Sequence, residues 1–186
     1  ELSHLIDEVV EVATDRRGDE PVVEFNLAEV ARRVAERTGL RLGREVEVHV
    51  VGEPWLVGRG EALTRAVRNL VENACKFDDS DSNIEVVVRA LAADDVVAGR
   101  SEQWNNASVQ VEVLDRGSGF TDADLAHVFE RFYRADEARS APGSGLGLAI
   151  VAEVVAAHGG TYWASNRDGG GAAVCFRVPV DAVRAD

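Results

Sequence analysis

The stretch R-N-L-V-E-N-A-C-K-F, residues 68–77, holds the single lysine of this 186-residue chain, Lys76, against nineteen arginines elsewhere. Leu63, Val67, Leu70, Val71 and Ala74 recur at helical spacing, which predicts a helix over residues 60–76. On it Asn69, Asn73 and Lys76 fall at i, i+4 and i+7 and rise in a row along one face, with Phe77 beside them. That row suits an anion carried with a hard cation. Asparagine offers a neutral carbonyl oxygen, magnesium keeps several waters and bridges to phosphate oxygens, and lysine is a compact point charge. The row equally suits solvated polar residues on an amphipathic helix, and the helix alone does not choose between the two.

Two glycine clusters follow: D-R-G-S-G-F at residues 115–120, ending a strand, and P-G-S-G-L-G-L-A-I at residues 142–150, opening a helix. The second is no P-loop, because no G-K-[ST] follows, and Gly143, Gly145 and Gly147 do not match G-x-G-x-x-G. Glycines that start a helix still leave free N–H groups aimed at an anion, assisted by the helix dipole. Between the clusters, F-E-R-F-Y-R at residues 129–134 sets aromatics and arginines in a segment too polar for a core, the composition of a flap over a ligand.

The elements that must position these residues are legible in outline. Leu2, Leu5, Val9 and Val12 form a helical seam in residues 1–15, and D-R-R-G-D-E-P reads as a linker, which places a domain boundary near residue 20. Asn26, with Glu29 as a capping-box partner, starts a helix running to Gly39. Strands are predicted at 45–50, 84–89 and 109–114 from alternation and branched residues, with an extended polar loop over 92–107. A helix over about 144–157 ends at H-G-G with Gly159 as its left-handed cap, and two last strands flank D-G-G-G. The expected fold is α+β: a mixed sheet with helices, most simply one layer on each side of the core.

Composition narrows the function. A net charge of −13 disfavours nucleic acid and anionic membranes, so bound phosphate must be held locally by amides and a few chosen cations. Cys75 and Cys175 form no disulfide framework and no C-x-x-C, and no apolar run reaches a membrane span. A chain that starts at Glu1 and has no methionine is expected to be a piece of a longer protein.

In this order and setting, N-L-V-E-N-A-C-K-F, D-R-G-S-G, F-E-R-F-Y-R and G-S-G-L-G-L-A-I resemble the N, G1, F and G2 boxes of the ATP-binding catalytic domain of bacterial sensor histidine kinases. That domain shares a superfamily with gyrase and MutL, and the resemblance covers about residues 21–179. It implies a two-layer α/β sandwich of the Bergerat type over 21–186, a mixed, mostly antiparallel sheet packed on a layer of helices, with a lid at about 119–147 and residues 1–20 ending a dimerisation hairpin. It implies ATP and magnesium as ligands. Asn73 becomes the main magnesium ligand with Asn69 assisting, Lys76 touches the phosphates, and Phe77 packs by adenine. Asp115 accepts the exocyclic amine of adenine, and Gly117 and Gly119 let the backbone approach the base. Tyr133 and Arg134 lie in the lid, Arg134 reaching the terminal phosphate. Gly143, Ser144, Gly145, Leu146 and Gly147 supply the hinge and the phosphate-facing amides.

The phosphoacceptor histidine of that family sits in a motif like H-E-x-x-x-P, which H-L-I-D-E-V at residues 4–9 lacks, so the acceptor is expected upstream and His4 on a helix surface. The implied partners are that helical domain and a response regulator, and the implied setting is the cytoplasmic side of a membrane-anchored parent. The fragment itself is compatible with a monomer, and its parent with a homodimer. Three rivals stand beside this reading. In ATP-hydrolysing relatives a general-base glutamate precedes the magnesium asparagine by four residues, where this chain has Asn69; Glu72 is adjacent in sequence but turned about 100° away. The fold also serves serine kinases that restrain sigma factors, and a non-catalytic binding module is the third. His158, before a glycine cap, has a sufficient structural role, and His49 is expected to point to solvent.

Overall fold

The computed structural model describes residues 20–80, 82–93, 106–135 and 143–181. The expected helix in residues 1–15, most of the 92–107 loop and residues 136–142 of the expected lid lie outside the described residues.

Five strands form the main sheet: β2 (Val46–Val51), β4 (Ile84–Leu91), β5 (Ser108–Leu114), β6 (Thr161–Asn166) and β7 (Ala172–Pro179), in the order β2-β4-β5-β7-β6. Only β2 with β4 is parallel; every other pairing is antiparallel. One face carries an unbroken apolar row, because register aligns Val86 with Val113 and Val48, and Val111 with Val88 and Phe176. That row packs on the helices α1 (Leu27–Leu42), α2 (Gly60–Phe77) and α4 (Gly147–Ala157), whose residues Leu27, Leu63, Leu70, Val151 and Val155 join the same buried cluster. His49 alternates to the opposite face and is solvated, as its strand parity requires. The expected sandwich is therefore the observed one. Among the described residues, no helix is long and apolar enough to cross a membrane.

Several boundaries differ from expectation. α1 runs past Gly39 to Leu42 and ends at Gly43 in the left-handed conformation, φ 66°. Gly39 is instead buried inside the helix, where a Cβ would meet the Arg44 carbonyl at 2.7 Å. Asn26 caps α1 by accepting from Ala28 N at 2.9 Å, without a reciprocal arm from Glu29 among the described residues. α4 starts at Gly147, not Ser144, because Gly143 (φ 146°) and Gly145 (φ 75°) adopt backbone that cannot continue a right-handed helix. Unforeseen were the ribbon of β1 (Val22–Asn26) with β3 (Trp55–Arg59) and the short helix α3 (Asp122–His127).

α2 carries the row of interest, and it is capped from outside itself. Arg59, at the N-cap position, provides no side-chain bond. The carboxylate of Glu20 accepts from Glu61 N at 2.6 Å and Ala62 N at 3.2 Å instead, placing a negative charge at the positive end of the helix.

Candidate functional site

The buried stripe of α2 (Leu63, Val67, Leu70, Val71, Ala74) fixes its rotation, and Asn69, Asn73 and Lys76 consequently fall on its half-exposed flank. This flank faces the turn that leads into α4. A Cβ on Gly143 would lie 2.3 Å from Lys76 Nζ, and one on Gly147 would lie 3.6 Å from Asn69 Oδ1. The structure thus brings Asn69 and Lys76 against the second glycine cluster, with Asn73 between them on the same helix. The Lys76 ammonium also stands 4.8 Å from the centroid of the Phe77 ring, itself at the rim of the helix end.

Asp115 follows β5 directly and is 6% exposed. Its Oδ1 accepts from both Gly117 N and Ala172 N at 2.9 Å, which leaves Oδ2 without a partner among the described residues. Burial raises its pKa, partly offset by those two amides, and the Asp78 charge raises it further. The turn is tight against α2: a Cβ at Gly117 would come within 2.1 Å of the Phe77 carbonyl oxygen. Gly119, at φ 73°, lies against Asn166, whose amide clasps both backbone groups of Phe120, accepting from N at 2.7 Å and donating to O at 2.8 Å.

Beyond Phe120 the chain folds over as the start of the expected lid. Thr121 and Asp124 form a reciprocal capping box on α3. The hydroxyl of Tyr133 donates to Asp124 Oδ1 at 2.8 Å, so this tyrosine braces α3. Hydrogen bonds from Thr121, then from Tyr133, lower the Asp124 pKa. Phe129 packs on Tyr162 of β6 at 4.6 Å between ring centroids, and Arg131 pairs with Glu153 of α4. Phe132 N donates to Gly145 O at 2.9 Å, which ties the 129–134 segment to the glycine turn before α4, while Phe132 is 70% exposed and its backbone takes positive φ. Arg134, half-buried, follows directly after Tyr133 in the last described stretch before residue 136. Ser144 Oγ accepts from Leu146 N at 3.2 Å, and Leu146 lies in the core at 3% exposure.

Residues that composition and spacing did not single out complete the site. Asp78, at the C-cap of α2, binds the turn after Asp115 through Arg116 N at 2.9 Å. The D-G-G-G turn presses on the same place. A Cβ at Gly171, which sits at φ 97°, would lie 2.1 Å from the Asp115 carbonyl oxygen, and Arg167 donates to that oxygen at 3.1 Å. His158 has both ring nitrogens occupied, Nδ1 with Val154 O at 2.7 Å and Nε2 accepting from Arg59 N at 3.2 Å; burial holds its pKa down, so the ring is a neutral strut between α4 and β3.

Among the described residues, no group of three or more His, Cys, Asp or Glu side chains could hold a metal ion. The carboxamide oxygens of Asn69 and Asn73 are the hard neutral donors of the site, and Asn69 Nδ2 is buried with no hydrogen-bond partner among the described residues. Such a donor set fits a magnesium ion that draws its remaining ligands from phosphate oxygens and water.

Residues 58–182 match the family described as histidine kinase-, DNA gyrase B-, and HSP90-like ATPase, and the chain belongs to that family. It is similar to the signal transduction histidine-protein kinase/phosphatase MprB of Mycobacterium sp. (strain KMS), 38% identical over 173 residues, which are 92% of this chain and 31% of that protein. The MprB of Mycobacterium leprae (strain TN) is 37% identical over 161 residues, 86% of this chain and 28% of that protein. The chain therefore spans about a third of the length of these curated relatives. Among solved structures it resembles a mycobacterial sensor histidine kinase MprB, with TM-score 0.66 and 30% identity over 87% of this chain and 99% of that one. It also resembles full-length ShkA in complex with AMPPNP, with TM-score 0.72 and 26% identity over 99% of this chain and 37% of that one.

Proposed function

We propose that this chain binds ATP with magnesium as the catalytic domain of a sensor histidine kinase and passes the γ-phosphoryl group to a histidine on a helical domain, for relay to a response regulator. The observation that carries the reading is the α2 flank, with Lys76 and Asn69 set against Gly143 and Gly147 at one side and the free Oδ2 of Asp115 beyond the Phe77 end.

In this reading Asp115 Oδ2 accepts the exocyclic amine of adenine, which selects it over guanine, since a carboxylate cannot donate to a carbonyl. Gly117 and Gly119 leave room for the base, and Phe77 packs beside it. Asn73 and Asn69 hold magnesium, which when bound neutralises charge on the phosphate oxygens. Lys76 holds the phosphates electrostatically, Arg134 reaches the terminal phosphoryl group from the lid, and the amides of the 143–147 hinge complete the cradle. Transfer through a loose transition state asks the protein for alignment and charge stabilisation, with little covalent help. Residues 1–20 belong to the helical hairpin in this reading, and the domain works on the cytoplasmic side of a membrane-anchored, dimeric parent. Hydrolysis is the poorer reading because Glu72, the one carboxylate in the N-box stretch, is engaged by Arg41 of α1 and lies 3.9 Å from Arg68.

The test combines the chain, radiolabelled ATP and magnesium with a separately supplied helical hairpin bearing the histidine. Label on the hairpin is expected, and phosphate released without it would indicate an ATPase. Asn73→Ala is expected to abolish magnesium-dependent ATP binding while the domain stays folded; undiminished affinity by calorimetry overturns the metal assignment.

A further inference from the structure

A carboxylate at the C-terminus of a helix faces the negative end of the helix dipole, so Asp78, at the C-cap of α2 and 2% exposed, is badly placed as a cap. Its neighbours give it another role. Oδ1 accepts from Ser80 N at 2.7 Å, and Oδ2 accepts from Arg116 N at 2.9 Å. Arg44, beyond the end of α1, approaches Oδ2 at 3.4 Å, donates to the Asp78 carbonyl oxygen and donates to Ser82 O at 3.0 Å, so the carboxylate is itself clamped. Arg116 is the residue between Asp115 and Gly117, and the bond to its amide is the side-chain link from α2 into that turn.

We infer that Asp78 is a positioning residue for base selection: it holds the 115–117 turn on the end of α2, so that Asp115 spends Oδ1 on Gly117 and Ala172 and presents Oδ2 to the base. This rests on the reading of Asp115 as the adenine acceptor. The geometry favours it over simple stapling because three anchors converge on one turn. Arg116 N is held by Asp78, Gly117 N is held by Asp115, and Gly117 has no room to move toward Phe77 O. With the Asp78 acceptor removed, Arg116 N loses its partner in a part-buried bond, the turn is released to rotate toward water, and that rotation carries the Asp115 carboxylate with it.

The test measures ATP and GTP affinity by calorimetry on the whole chain and on Asp78→Ala, Asp115→Ala and the double variant. Asp78→Ala is expected to lower ATP affinity about tenfold and leave GTP affinity nearly unchanged, the scale of one hydrogen-bonded discrimination. The double variant is expected to lose no more than Asp115→Ala alone, because both substitutions remove one function. Equal losses for ATP and GTP in Asp78→Ala, or losses that add in the double variant, overturn the proposal and leave Asp78 a stabilising staple. Absence of any effect in Asp115→Ala sinks the base-reading assignment and this proposal with it, and is told apart from failure of Asp78 alone, in which Asp115→Ala still weakens ATP. Should Asp78→Ala be too unstable to titrate, Asp78→Val fills more of the site and removes both acceptors; the ATP preference must fall there too, and an unchanged preference overturns the proposal.

Discussion

Replacing Gly117 by alanine adds one methyl group where the backbone leaves no room for it. The new Cβ would lie 2.1 Å from the Phe77 carbonyl oxygen and 3.0 Å from its carbonyl carbon, whereas real Cβ atoms essentially never come closer than 3.0 Å to a neighbour. Two features make the clash hard to relieve. The atoms met are backbone at the last turn of α2, not the end of a flexible side chain, and the turn is held in place by the bonds of Asp78 to Arg116 N and of Asp115 to Gly117 N, with the Gly171 backbone against the Asp115 carbonyl. Restoring ordinary contact requires a shift of roughly 1 Å, and overpacking of this kind costs about 1–3 kcal/mol. For a chain of this size that corresponds to a fall of about 2–12 °C in Tm. The displacement acts directly on Asp115, whose Oδ1 is bonded to Gly117 N, so ATP affinity is expected to fall at least about tenfold. Calorimetric unfolding and nucleotide titration of Gly117→Ala measure both quantities. Wild-type Tm together with wild-type ATP affinity would refute the claim that this turn packs directly on the helix bearing Asn73 and Lys76.

The neutral strut His158 makes stability pH-dependent in a defined direction. Its folded-state pKa lies below the ordinary 6.5, because burial outweighs the bond to Val154. The unfolded chain therefore binds more protons just below pH 6.5, and stability present above that value is lost as pH falls through it, by at most about 1.4 kcal/mol per pH unit from this group. The decline in Tm between pH 7 and 5 should be visibly shallower in His158→Gln; parallel declines would mean that another group is responsible. Glu20→Ala removes the only side-chain cap on the α2 N-terminus among the described residues and should cost about 1 kcal/mol, or about 2–4 °C in Tm. An unchanged Tm would show that water replaces Glu20 without loss.

What the sequence made legible is divided along a physical line. Elements with strong period and burial were readable: α2 from its Leu63 to Ala74 stripe, and β4 and β5 from runs of branched residues. The row Asn69, Asn73, Lys76 followed, because helical geometry turns spacing into position. The ribbon of β1 and β3 was not readable, since V-V-E-F-N lacks alternation and its burial comes from Leu56 across the ribbon, which only tertiary pairing supplies. α3 was missed because its six residues are held by the Thr121–Asp124 box and by Tyr133, a contact across nine positions. Glu20 and Asp78 were unreadable for the same reason: each bonds to backbone 38 or more positions away, and no local pattern marks a carboxylate for that work.

The lone lysine and the glycines at residues 143–147 explain one another. Lys76 Nζ stands where any side chain on Gly143 would intrude, so the ammonium has the bare backbone of the hinge as one wall and the Phe77 ring as another. A planar guanidinium needs a wider slot and would have to displace that backbone, whereas an ammonium on a four-carbon stem ends in a compact charge. Gly145 is required by a different neighbour: at φ 75°, a Cβ there would meet Tyr133 O at 2.7 Å, just where Phe132 N binds the hinge carbonyl. Gly147, whose Cβ would find Asn69 Oδ1 at an ordinary 3.6 Å, is the one of the three with room to spare. The G-S-G-L-G pattern is thus a cast of what lies against it, α2 on one side and the backbone of Phe132 and Tyr133 on the other. Of its first two glycines, Gly145 is fixed by the backbone it meets and Gly143 by its φ of 146°, since the Lys76 ammonium beside Gly143 ends a flexible stem; that conformation sets the bare backbone of residues 143–145 beside the ammonium.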